Sequence, residues 1–151
     1  MYRRYSCVLR SVMKIITNKL TLQTKGPGDL VNITDRVVEL LKTAKLKSGH
    51  AIIFHIGSTA AITTFEYESG MIKDMQELYE KIVPSDQHYH HDDTWGDANG
   101  FSHLRAALQG PSLTIPFEDG KLLLGTWQQV VLAEFDNKPR TRQVIVQIIG
   151  E

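Results

Sequence analysis

The last third of the chain constrains the fold most strongly. From Ser112 to Ile149 it reads as four strand-like runs, Ser112 to Phe117, Lys121 to Leu124, Gln128 to Phe135 and Arg142 to Ile149, joined by short polar turns. Glu118-Asp119-Gly120 is a hairpin signal, because Asp-Gly supplies the positive φ that a tight turn demands. Strands joined by so little chain pair antiparallel, since a parallel partner needs a crossover of about a dozen residues or more.

Upstream the period of the apolar residues changes. Lys14 to Gln23, with Ile16, Leu20 and Leu22, predicts a first strand that stops at Gly26-Pro27-Gly28. Asp29 is then the candidate N-cap of a helix carrying Leu30, Ile33, Val37, Leu40, Leu41 and Ala44, ending towards Lys45, Lys47 and Gly49. His50 to Ile56 reads as a buried strand and Ser58 to Phe65 as another; with Gly57 between them they form either one bent strand or a tight pair. Met71, Met75, Leu78, Tyr79 and Ile82 share one face of a second helix that Pro84 ends. Ser102 is the candidate cap of a short third helix bearing Leu104, Ala107 and Leu108 and closed by Gly110. Strands at both ends with helices between them predict an α+β domain with a mostly antiparallel sheet, two main helices and one short helix.

Length and charge narrow the class. The 151 residues fit one domain, over residues 13–151, and residues 1–12 read as a tail. With 17 basic against 17 acidic side chains, nothing marks a nucleic-acid or membrane surface. The single cysteine, Cys7, allows no intrachain disulfide, and the absence of a secretory or membrane-spanning run points to a cytoplasmic setting.

The chemistry concentrates between His88 and His103. That stretch holds four of the six histidines with Asp92, Asp93, Asp97 and Asn99, and lacks apolar periodicity. Imidazoles and carboxylates together are the ligand set of zinc and similar ions. His91 and His103 lie twelve positions apart, so a loop that folds back would unite them; the alternative is a set of surface histidines with incidental hydrogen bonds. His50 and His55, beside the apolar run of a strand, read as satisfied structural histidines. Glu66 and Glu68 alternate at a strand end, where they hold a cation, serve as a base or are simply solvated. Asp74 sits where a helix dipole favours negative charge, Trp127 is either core or pocket lining, and Arg105, Lys138, Arg140 and Arg142 are either phosphate contacts or solvated charge. P-loop, GxGxxG and GxSxG motifs are absent.

Taken together, GSTAAITTFEYESG, the loop YHHDDTWGDANGFSHLRAALQGPSLTIP, DGKLLLGTWQQVVLAEFD and PRTRQVIVQIIGE resemble the YjbQ family over about Lys14 to Glu151. The resemblance implies a small α+β homotrimer with weak thiamine-phosphate synthase activity, in which a thiazole phosphate nitrogen displaces pyrophosphate from an aminopyrimidine pyrophosphate. It places the family's His-Asp pair on His91 and Asp92, its later histidine on His103, its strand-end glutamate on Glu66, its helix aspartate on Asp74 and its GTWQ on Gly125 to Gln128. The chain departs from many bacterial members at Gly57, where they carry histidine, and at Tyr67, where they carry asparagine. The implied site has Glu66, Asp74 and Gln128 as catalytic groups and Asn99 and Arg105 on a phosphorylated metabolite. His91, Asp97 and His103 would hold a divalent ion, zinc or magnesium/manganese. A non-catalytic module that binds a small molecule or metal is the alternative, and a histidine loop packing at subunit contacts is a third.

Overall fold

The protein was analysed as a computed structural model that describes residues 12–151. But for Val12, the expected tail over residues 1–12 lies outside the described residues. In chain order the elements are β1 Lys14–Gln23, β2 Leu30–Asn32, α1 Thr34–Ala44, β3 Ser48–Ile56, β4 Ala60–Glu66, α2 Ser69–Ile82, α3 His90–Trp95, α4 Gly100–Gln109, β5 Ser112–Glu118, β6 Lys121–Leu122, β7 Gln128–Glu134 and β8 Thr141–Gly150. They form two sheets, β1-β8-β3-β5-β6 and β2-β7-β4, and every pairing is antiparallel.

The inner face of the five-stranded sheet, through Leu20, Leu22, Ile53, Val144, Val146 and Ile148, packs on α1 and on one face of the three-stranded sheet. The other face of that smaller sheet, with Ala61, Phe65, Val131 and Ala133, is covered by Tyr79 of α2 and Ala106 of α4. Strand β7 is therefore buried on both sides. Its run Val130-Val131-Leu132-Ala133 has no polar alternation, as a two-sided strand requires. By contrast, the outer face of the larger sheet carries Ile15, Phe54 and Ile56 in the open.

Three boundaries differ from the sequence expectation, each for a local reason. Helix α1 begins at Thr34 rather than near Leu30, because Leu30–Asn32 pairs with β7 and the Asn32 side chain accepts the Thr34 N–H at 2.9 Å. Asp29 accepts the Lys25 N–H at 2.8 Å and so closes the preceding turn instead of capping a helix. β3 and β4 are neither one bent strand nor a pair: they belong to different sheets, and Gly57 to Thr59 carries the chain between them. The histidine stretch, expected as loop plus one short helix, forms two helices, α3 and α4. Ser102 lies inside α4, where its hydroxyl donates to Phe135 O at 2.6 Å. Among the described residues no helix is long and apolar enough to cross a membrane.

Candidate functional site: a histidine pair between two short helices

The corner between α3 and α4 is built around Asp92. One of its carboxylate oxygens accepts the Tyr89 N–H at 3.1 Å and the other accepts the Gly100 N–H at 2.9 Å. A single side chain thus ties together the starts of two helices, and the Gly100 bond leads the effects that hold its carboxyl below the usual range. Gly100 is required by close approach, since a Cβ there would stand 2.6 Å from Cβ of Tyr89. Helix α3 stops at Gly96, and Asn137 Nδ2 donates to Asp97 O at 2.7 Å to fix the turn between the helices.

This brace brings His91 and His103 together, with ring centroids 4.3 Å apart and planes tilted by 42°. Asp97 stands beside them, its carboxylate 3.9 Å from Nε2 of His91. Burial and then the neighbouring His91 lower the pKa of His103, so its ring is neutral and its lone pair is free at neutral pH. His103 also lines a cavity of about 340 Å³ bounded by Gly57, Ala60, Ala106 and Pro111. Asn99, at the start of α4, is buried and its Oδ1 has no hydrogen-bond partner. His88 and His90 both turn towards Asp93, at 3.1 and 3.9 Å, and stay outside the pair.

The remaining expected residues lie elsewhere. Glu66 faces Gln128 across the β4–β7 pairing, and Glu66 lines a shallow pocket with Tyr67, Glu68 and Trp127. Trp127 is 68% exposed, which rules out a core role. Gln128 is engaged locally, accepting the Gly125 N–H at 3.1 Å and donating to Thr64 Oγ1 at 2.9 Å. That pocket is at the far end of β4 from the His103 cavity, roughly 20 Å along the strand at about 3.3 Å per residue. Glu68 does not continue the strand; it accepts the Gly70 and Met71 N–H groups as the cap of α2. Asp74 is on the open face of α2 beside Met71 and Lys81. Arg105 points away from the histidines, because residues two apart on a helix do not share a face. Its guanidinium instead holds Val83 O at 2.9 and 2.6 Å and pairs with Glu80 at 2.8 Å.

Two groups escaped the sequence reading. His55 is fully buried, and neither ring nitrogen makes a well-aligned hydrogen bond; the Ala60 backbone interacts with the ring and favours its charged form, so this histidine is at best weakly satisfied. Burial, and then Arg142, lowers its pKa. Arg142, expected in a solvated turn, is buried against Glu134, and Asp136 lies next to both. Only their place at the inward positions of β7 and β8 could have signalled this.

Two antiparallel sheets with helices over the smaller one, and a paired-histidine corner at its edge, define a small α+β protein class. A family model described as "UPF0047 protein YjbQ-like" matches residues 18–151. The chain belongs to the YjbQ family. It is 39% identical over 131 residues to a UPF0047 protein of Archaeoglobus fulgidus, covering 87% of this chain and 99% of that one. Against the YugU protein of Bacillus subtilis the identity is 31%, over 87% and 97% of the two chains. Among solved structures, a YbjQ-like protein of unknown function from Sulfolobus solfataricus P2 superposes with a TM-score of 0.86 at 30% identity, covering 93% of this chain and 100% of that one. A hypothetical protein from Aeropyrum pernix K1 gives 0.83 at 28% identity, over 90% and 99%.

Proposed function

We propose that the His91–His103 corner is the working site of a metal-dependent, small-molecule-handling protein, acting as a weak thiamine-phosphate synthase in a cytoplasmic homotrimer. The observation that carries this reading is the 4.3 Å approach of two imidazoles twelve residues apart, fixed by the Asp92 brace. By donor type the corner fits a divalent ion: two imidazoles, the Asp97 carboxylate, and the unpaired Oδ1 of buried Asn99. Among the described residues no three His, Cys, Asp or Glu groups converge on one point, so water or substrate would complete the set. A bound divalent ion would supply positive charge against departing phosphate oxygens. His103, neutral and facing the cavity, holds a lone pair ready for an ion or a proton. The dipole of α4 favours negative charge near Asn99. The homotrimer is supported by the apolar outer face of the larger sheet, with Ile15, Phe54 and Ile56 exposed and Ile52, Ile145 and Ile149 half-buried.

The test is elemental analysis of tag-free protein before and after chelation, for wild type, His91→Ala and His103→Ala, followed by incubation of metal-loaded protein with the two thiamine precursors. About one ion per chain, lost in both variants, supports the site, and wild-type metal content in the variants overturns it. Product no higher than a blank removes the synthase activity. A second reading, binding without turnover, is favoured by the placement of Glu66, Asp74 and Gln128 away from the histidine pair. It predicts saturable binding of a phosphorylated metabolite with no product.

A further inference from the structure

A cavity of about 460 Å³ lies on the other side of α4 from the histidines, between α2 and the start of β2. That volume is within the ordinary range of small-molecule pockets. Its floor is apolar: Leu30, Tyr79 and Phe135 are all buried, and the two rings meet edge to face at 4.7 Å. At its depth is Arg105, only 2% exposed. A buried guanidinium facing an apolar cavity is costly unless each edge is employed. Two edges are: Nε and Nη2 bond Val83 O, Nη2 pairs with Glu80, and the plane stacks 5.0 Å from the Phe101 ring centre. Nη1 makes no hydrogen bond among the described residues and is not sealed in protein.

The carboxylates nearby are already committed. Glu80 accepts the Ser85 N–H and hydroxyl at 3.0 and 3.1 Å besides its pair with Arg105, and Glu77 pairs with Lys81 at 3.6 Å. What the cavity has left to offer is the unbonded Nη1 edge of Arg105, which lines it, over an aromatic and aliphatic floor. Desolvating one negative charge over this apolar floor costs less than desolvating the two of a phosphate dianion, so a monocarboxylate suits the cavity better. We propose that this cavity is a second ligand site, taking a small aromatic or branched aliphatic monocarboxylate with its carboxylate on Arg105 Nη1. The site is independent of the metal and of the synthase reading.

Benzoate is the probe, with neutral benzamide as its isostere, titrated into the full chain while the signals of Leu30, Tyr79 and Phe135 are followed by NMR. Saturable shifts at these residues are expected with benzoate, with benzamide about ten-fold weaker or more, as befits loss of a charge-assisted hydrogen bond. Gln76→Trp, on an exposed position at the cavity mouth, should abolish both; because it also removes the 2.7 Å bond from Gln76 to Gly28 O, the free variant's Tyr79 and Phe135 signals, expected at their wild-type positions, show that the floor is intact. Equal binding of the two probes, benzoate shifts confined to His91 and His103, or unchanged binding in Gln76→Trp would each overturn the proposal.

Discussion

The cluster around Glu134 and the pair His91–His103 both flank the carboxyl end of β7, yet they are built on opposite principles. Glu134 is fully buried and accepts from Thr24 Oγ1 at 2.7 Å, from the Asp136 N–H at 2.8 Å and from Arg142, whose Nη2 also donates to Thr59 Oγ1 at 2.8 Å. Asp136 in turn accepts from Thr59 Oγ1 at 3.0 Å and from Arg140 at 2.7 Å. Burial works to raise the pKa of Asp136, but the Arg140 and Thr59 bonds outweigh it and keep the carboxylate charged. This closed network joins the residue after β1, the end of β7, β8 and the crossing at Thr59. The histidine corner is the reverse: its rings are partly open, the Asp97 carboxylate stands off at 3.9 Å from His91, and Asn99 Oδ1 is unpaired. A saturated polar cluster holds the fold, whereas an unsaturated one keeps binding capacity in reserve.

The sharpest way to break the contrast is to open the closed cluster. Arg142→Ala leaves Glu134 as a buried, uncompensated charge, and the expected loss is about 3–5 kcal/mol, read by denaturant unfolding. Gly57→Ala comes next. Gly57 has φ +153, and a Cβ there would lie 2.6 Å from Cε1 of His55, so overpacking of about 1–3 kcal/mol is expected together with a narrowed His103 cavity.

A pH titration of stability separates the two histidine environments. The lowered pKa of His55 means that the unfolded chain takes up a proton at a higher pH than the folded chain does. Stability is therefore complete above the ordinary imidazole value of about 6.5 and falls as pH drops below it. His55→Leu should flatten that fall below about pH 6.5, leaving the part that comes from His103. An unchanged profile would show that burial does not shift the His55 pKa. The smallest effect belongs to the open corner: His91→Ala should change stability by no more than about 0.5 kcal/mol while altering metal content, a split that no structural histidine produces. For the outer sheet face, Phe54→Lys is expected to dissociate the proposed trimer in sedimentation equilibrium without unfolding the chain.

By itself the sequence determined whatever rests on period and turn chemistry. It placed β1 from Lys14 to Gln23, the Asp119-Gly120 hairpin, α2 up to Pro84, and the antiparallel α+β class. It also marked His91, Asp97 and His103 as residues a folding loop could unite, because their side-chain types are informative without coordinates. Tertiary structure alone decided which face each element buries and where polar groups end up. The division of β3 and β4 between two sheets, the recruitment of Leu30–Asn32 into β2, and the burial of Arg142 against Glu134 depend on partners far away in the chain or just across a turn, which no local period records. The same holds for Arg105: its helix position was legible, but whether it faced the histidines or a separate cavity was set by how α4 packs on α2 and the smaller sheet.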